Sequence, residues 1–345
     1  MMKKIAILTI VSDNCGNRLQ NYALQETLRK MNCNVYTIRR RKKSVKYKIK
    51  QLVRSILLRD YHSACFWFNQ KIKWAKQVIP EKNEDFEFSD CYDKYVIGSD
   101  QIWNVTFPFI GANDFLPCVP DEKKLSYAAS FGIDEIPVEH RLNVKEWLTH
   151  ISNISVREEA GKNIVENLTG KKAEIVLDPT LLLDASEWNK ISQKPSSLYN
   201  DEKYILMFFL GKTSDIAKQL ALDIADKNGY KVIDLLDESS AVYESDPSEF
   251  LYLISHAKLV LTDSFHACVF SFLFNKPFYV YDRNWKHGSM NSRLETLLKK
   301  FHLERKYANS GLENDIWEHN YEDGYKQLEL ERQKATDFLK KALDC

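Results

Sequence analysis

A chain of 345 residues that is 44% hydrophobic and 12% aromatic has the composition of a globular protein of enzyme size, which excludes the disordered and fibrous classes. Its formal net charge of +1 excludes a surface built throughout for nucleic acid, and no nucleic-acid partner is expected. The length suits roughly two domains of about 150 residues, enough for two cores and a cleft.

The opening Met1-Met2-Lys3-Lys4 and the apolar run Ile5 to Val11 look like a signal peptide, but Ser12-Asp13-Asn14 interrupts them with no small-residue cleavage site. A first core strand from Lys4 to Val11 is expected instead. No run reaches the roughly 18 apolar residues of a membrane span. Seven cysteines are scattered without a Cys-x-x-Cys pair, which argues against a disulfide framework or a zinc knuckle and for a reducing, cytoplasmic compartment.

The first strand feeds a turn containing Asn14, Gly16, Asn17 and Arg18, then a helix in which Leu19, Tyr22, Ala23, Leu24, Leu28 and Met31 recur at helical spacing. The turn is either a tight structural turn or a ligand cradle. A strand from Val35 to Ile38 follows. Between Arg39 and Arg54 stand nine lysines and arginines and no acid, and Leu52 to Trp74 adds apolar and aromatic residues. This is either a solvated basic face or a segment that lies on an anionic membrane surface, with Phe66, Trp67, Phe68 and Trp74 dipping into it or packing beneath the first lobe.

Further strands end on polar, small or cationic residues: Lys94 to Ile97 at Gly98-Ser99-Asp100-Gln101, Leu125 to Ala129 at Ser130-Phe131-Gly132, and Ile151 to Val156 at Arg157, with Glu158 and Glu159 opening a helix. Glu174 to Leu177 ends at Asp178-Pro179, which reads as a structural turn. In open parallel sheets such strand ends are where ligands bind. Leu183 to Glu202 is rich in breakers and reads as a linker. The alternation then restarts: strand Lys203 to Leu210, helix Ser214 to Asn228, strand Lys231 to Leu235, helix Pro247 to His256 and strand Leu259 to Thr262. Asp263 and Ser264 cap a helix with His266 in its first turn, and strand Phe278 to Tyr281 leads to Arg283, Trp285, Lys286 and His287. Helices from Asn291 to His302 and from about Gly324 to Leu343 complete the chain. The expected fold is α/β, with two Rossmann-like lobes facing a central cleft in the GT-B manner. Residues 1–185 form an N-terminal lobe, 200–322 a C-terminal lobe, and 323–345 a closing helix that can return to the first lobe.

Gly16-Asn17, Ile97 to Asp100, Tyr127 to Gly132, Ser155 to Glu158, Leu177 to Thr180 and Thr262 to Ala267, in this order and spacing, resemble the polysaccharide pyruvyl transferase family. The resemblance covers most of the chain. It implies phosphoenolpyruvate as donor co-substrate, a sugar hydroxyl as acceptor, a pyruvyl ketal as product, and no further cofactor or metal. It also implies a C-terminal donor side, an N-terminal acceptor side, and glycan acceptors carried on lipid at the inner face of the cytoplasmic membrane. In this scheme His266 is the proton donor and acceptor, Arg157 binds the anionic donor, and Asp100 or Asp263 is an orienting or base partner. Many relatives carry arginine where this chain has Ser264, so the missing cation is expected from Arg283, Lys286 or Arg293. Ser99, Gln101 and Ser130 join Asn14, Gly16, Asn17 and Arg18 on the acceptor side. A nucleotide-sugar glycosyltransferase, or a ligand-binding protein on the same scaffold, remains open beside this reading, because fold alone does not fix function.

Overall fold

The computed structural model describes residues 2–11, 14–40, 49, 52–53, 61–80, 91–199, 202–283, 292–308, 310 and 315–345. These divide into two compact units: Met1–Lys48, Asn69–Leu182 and Glu329–Cys345 form the first, and Ile49–Phe68 with Leu183–Leu328 the second.

In the first unit, β1 (Lys4–Leu8), β2 (Asn34–Arg40), β3 (Trp74–Ile79), β4 (Lys94–Ile97) and β5 (Lys124–Ser126) form a parallel sheet in the order β3-β2-β1-β4-β5. Ile5 to Leu8 are fully buried, as a strand covered on both faces requires. The helix α1 (Cys15–Lys30) starts where the Asn14 side chain accepts a hydrogen bond from the Gly16 N–H at 2.8 Å. It finishes on Arg29 and Lys30, cations that suit the negative end of its dipole. A two-stranded piece, β6 (Ser155–Val156) with β7 (Glu174–Ile175), continues beyond β5 through single bridges at Leu125–Asn153 and Ala129–Val156. Of the helices, α2 (Tyr61–Phe68) stands between β2 and β3 in the chain but belongs to the second unit, α3 (Val138–Thr149) and α4 (Glu159–Thr169) flank β6 in the first, and α5 (Ala185–Asn189) belongs to the second.

The second unit holds β8 (Tyr204–Phe208), β9 (Lys231–Asp234), β10 (Leu259–Thr262) and β11 (Phe278–Val280), parallel and in the order β11-β10-β8-β9. Between them run α6 (Asp215–Asn228), α7 (Pro247–His256) and α8 (Phe265–Leu273), with α9 (Ser292–Lys300) following. The last helix, α10 (Glu322–Leu343), belongs to both units. Near its start Tyr325 stacks on Phe272 at 4.9 Å. Towards its end Ala335, Phe338, Leu339, Ala342 and Leu343 pack against Ile5, Ile7, Val96, Leu125 and Tyr127.

Several strands are shorter than their apolar runs suggest: β1 stops at Leu8, and β6 contains only Ser155 and Val156. The stretch 183–202, expected as a linker, contains α5, whose Trp188 is fully buried with its ring edge-on to Phe270 at 5.0 Å. Turn residues around a short helix hid it. Sequence reading also missed β3, an edge strand carrying Lys76 and Gln77, and α3, where exposed Val138 and Leu142 blur the apolar stripe. Of the basic run, 41–48, 50, 51 and 54 lie outside the described residues. Arg39 sits in β2 with its guanidinium 4.7 Å from the Trp74 ring centre, Phe68 is buried, and Trp67 is 48% exposed.

Gly98, immediately after β4, has φ +127°, and a Cβ there would lie 2.1 Å from the Tyr127 carbonyl oxygen. Backbone on both sides of the contact leaves no flexible atom to yield. Gly98→Ala should therefore lose about 2–4 kcal/mol of stability in urea denaturation. An unchanged midpoint would mean that this turn is not under the constraint described.

Candidate functional site

In the first sheet the chain winds one way from β1 to β2 and β3 and the other way to β4 and β5, so the order reverses between β1 and β4. Loops beyond the carboxyl ends of the strands part at such a switch point, opening a ligand crevice. Leu8 and Ile97 are register partners, and the Gly98 N–H donates to the Leu8 carbonyl at 2.8 Å, so Thr9 and Ser99 leave the sheet side by side.

The side chains there form one buried network. Gln20 of α1 donates to Thr9 Oγ1 at 2.8 Å, Thr9 Oγ1 donates to the Ser99 carbonyl at 2.8 Å, and Ser99 Oγ donates to Gln20 Oε1 at 3.0 Å. Asn17 Nδ2 donates to Asp100 Oδ2. Arg157, beyond β6, donates from Nη2 to Asp100 Oδ1 at 3.0 Å and from Nη1 to Asp178 Oδ2 at 2.7 Å, while its Nε lies 3.9 Å from Glu158 Oε2. Glu158 Oε1 accepts from Ser130 Oγ at 2.8 Å and from the Phe131 N–H at 3.1 Å. Asp178 Oδ1 accepts from the Thr180 hydroxyl at 2.6 Å. The Arg157 side chain is 2% exposed. Burial works to lower its pKa, but the carboxylates of Asp100, Asp178 and Glu158 outweigh burial and hold it above the ordinary arginine value.

The second sheet reverses between β8 and β10. At that point the Asp263 carboxylate accepts from the Leu210 and Gly211 N–H groups at 2.7 and 2.8 Å, tying the loop after β8 to the loop after β10. Arg283, beyond β11, donates to the Asp263 carbonyl at 2.9 Å and lies 3.4 Å from its carboxylate. Thr262 Oγ1 donates to the Phe208 carbonyl and accepts from the Ser264 N–H at 2.9 Å. Ser264 is the N-cap of α8, and His266 is the second residue of that helix, buried, with its ring edge-on to Phe265 at 5.3 Å. The positive dipole end of α8 thus opens at the second switch point beside this histidine.

Of the residues singled out from sequence, Asp100, Arg157, Asn17 and Ser99 come together in the first unit, and Ser130 joins them through Glu158. Asn14, Gly16 and buried Arg18 open α1 at the same switch point, and Gln101 accepts from Asn104 at 2.7 Å. Asp263, Ser264, His266 and Arg283 meet at the second switch point, and Arg293 is buried in the first turn of α9. Lys286, with Trp285 and His287, lies outside the described residues. Sequence reading missed Gln20 and Thr9. The available signal was a stripe of amides on α1, with Asn17, Gln20, Asn21 and Gln25 at helical spacing beside the apolar one. Among the described residues no group of three His, Cys, Asp or Glu side chains is placed to hold a metal ion, and no helix is long and apolar enough to cross a membrane.

Two Rossmann-type units, each with polar side chains gathered at its switch point, define an α/β protein of the GT-B class. The chain belongs to the polysaccharide pyruvyl transferase family, whose model matches residues 14–284. Among solved structures it is similar to UDP-GlcNAc 2-epimerase from Neisseria meningitidis bound to UDP-GlcNAc, at 13% identity and a TM-score of 0.50, over 97% of this chain and 94% of that one. UDP-GlcNAc 2-epimerase from Methanocaldococcus jannaschii gives the same identity and TM-score over 94% and 92% of the two chains. At this identity the likeness concerns the fold alone. No curated protein matches the sequence significantly.

Removing the cation from a buried ion cluster leaves its carboxylates uncompensated, at a cost of about 3–5 kcal/mol. Arg157→Met should lose stability on that scale in urea denaturation, and Asp178→Asn less, since the amide oxygen still accepts. A loss below about 1 kcal/mol for Arg157→Met would show that the cluster does not hold the unit together.

Proposed function

We propose that this protein moves the pyruvyl group of phosphoenolpyruvate onto sugar hydroxyls as a ketal, in cell-surface polysaccharide synthesis. The observation that carries the reading is His266 in the first turn of α8, at the switch point of the second sheet, in a chain of this family. A small donor bearing a carboxylate and a phosphate suits a helix N-terminus flanked by cations, and Arg283, Lys286 and Arg293 are the candidates for that contact.

In the reaction, His266 gives a proton to the methylene carbon of phosphoenolpyruvate as a sugar hydroxyl oxygen bonds to the adjacent carbon, and the imidazole takes up that hydroxyl's proton. A second hydroxyl then attacks the same carbon. Phosphate leaves with the electrons of its C–O bond and takes the second hydroxyl's proton, and the methylene carbon protonated in the first step is the ketal's methyl group. A group that both gives and takes protons near neutral pH is the natural place for histidine. Asp263 orients the loop before α8 through its bonds to Leu210 and Gly211. Arg157 and Asp100, already bound to each other, are assigned to holding the acceptor-side loops in place rather than to the reacting atoms. A nucleotide-sugar transferase is the rival, since nucleotide-sugar epimerases share the fold.

Thermal stabilisation separates these readings, because a ligand at 100 times its dissociation constant adds about 2.7 kcal/mol. Phosphoenolpyruvate should raise the melting temperature and UDP-sugars should not; stabilisation by UDP-sugars alone would sink the pyruvyl reading. His266→Ala should keep the donor-induced shift while turnover falls about 100-fold or more. Near-normal turnover would remove His266 from the chemistry.

The basic run Arg39 to Arg54 is further proposed to hold the protein against anionic lipid on the cytoplasmic side, at about 1 kcal/mol per nearby cation. Flotation with anionic liposomes should weaken at high salt and when Arg39, Arg40, Arg41, Lys42 and Lys43 become glutamine. Flotation indifferent to both would point to a soluble acceptor.

A further inference from the structure

Cys33, in the turn between α1 and β2, and Cys345, beyond α10, are both free thiols, the first buried and the second exposed. Cys33 Sγ donates to the Met31 carbonyl and Cys345 Sγ to the Leu343 carbonyl, each at 3.7 Å, and Met31 lines the same cavity wall as Cys345. The backbone around each is fixed: the Cys33 N–H donates to the Leu28 carbonyl at 3.1 Å and the Cys345 N–H to the Lys340 carbonyl at 2.9 Å. Lys3 Nζ donates to the Leu343 and Asp344 carbonyls, and Lys94 pairs with the Asp344 carboxylate at 2.8 Å. Cys33 also packs in one apolar cluster with Leu339, Ala342 and Leu343. Cys345 lines a cavity of about 430 Å³ whose wall carries Lys30, Arg332 and Lys340, which gives a small polar reagent a way in to one thiol of the pair.

We propose that Cys33 and Cys345 form an oxidation site, closing to an intramolecular disulfide when a hydroperoxide reaches Cys345. The peroxide O–O bond breaks as one oxygen bonds to the Cys345 sulfur, giving a sulfenic acid and, with hydrogen peroxide, one water. The Cys33 sulfur then bonds to the Cys345 sulfur and displaces the hydroxyl, which leaves as a second water with the Cys33 proton. Two thiols are oxidised and one peroxide is reduced. The order follows from access and acidity: burial, and then the neighbouring Cys345, push the Cys33 thiol up to about 11, so it waits protonated while the exposed partner reacts first. Because Lys3 and Lys94 already hold the segment beyond α10, the bond can form without the chain having to be brought together.

The test treats the purified full chain with a small excess of hydrogen peroxide, blocks remaining thiols with N-ethylmaleimide and maps tryptic peptides without reduction. The expected product joins the peptide of residues 31–39 to that of residues 342–345, disappears on adding dithiothreitol and is absent from Cys345→Ser. Oxidation should also raise the wild-type melting temperature by about 5 °C and leave that of Cys345→Ser unchanged. Recovery of both thiols blocked, over-oxidation of Cys345 without pairing, or a cross-link from Cys345 to Cys91 or to a second molecule would each overturn the proposal.

Discussion

A guanidinium shut away from water has to find its hydrogen bonds and its counter-charge among the groups that bury it, and Arg157 finds both in Asp100, Asp178 and Glu158. Those acids follow β4, precede the turn after β7 and open α4, so satisfying one side chain fixes where three loops leave the sheet. Asn17 then fastens α1 to the same cluster through Asp100. The carboxyl edge of the first unit, where a ligand crevice belongs, is thereby a rigid surface rather than a set of independent loops. Arginine suits this position better than lysine, because its planar fork reaches two carboxylates at once.

The second unit solves the same problem with the signs reversed. Here one carboxylate, that of Asp263, is the buried hub, and the donors are two backbone N–H groups and Arg283. Both units place an aspartate just past the strand that borders the switch point: Asp100 after β4 and Asp263 after β10. In the second unit that aspartate leaves the following helix N-terminus open, with His266 on it. In the first, Asn17 of the nearby helix is bonded into the hub.

Much of this was readable in the sequence, for a definite reason. Buried parallel strands are apolar runs cut off by polar turns, so the ends of β4, β10 and the helix after Ser264 could be located, and with them Ser99, Asp100, Asp263 and His266. Arg157 could be flagged by its position but not by its partners, because Asp100 is 57 residues away and charge spacing along a chain says nothing about such a contact. Gln20 escaped because the apolar stripe of the helix does not include it, and its bonds to Thr9 and Ser99 join elements that the spacing of residues along the chain does not bring together. Edge strand β3 and helix α5 were missed because short elements are set by what they pack against, as Trp188 is by Phe270.

The closing helix sets an order of events during synthesis. Residues 335–343 fill the same apolar layer as Ile5 and Ile7, so one face of β1 stays uncovered until all the residues between them have been translated. At about 5–20 residues per second that interval is on the order of tens of seconds. The second unit, whose sheet strands and intervening helices are contiguous in sequence, can complete its sheet earlier. During that wait an uncovered parallel sheet is the part of the molecule most exposed to aggregation and to chaperone binding, so expression conditions that slow folding should lose this protein through its N-terminal unit first.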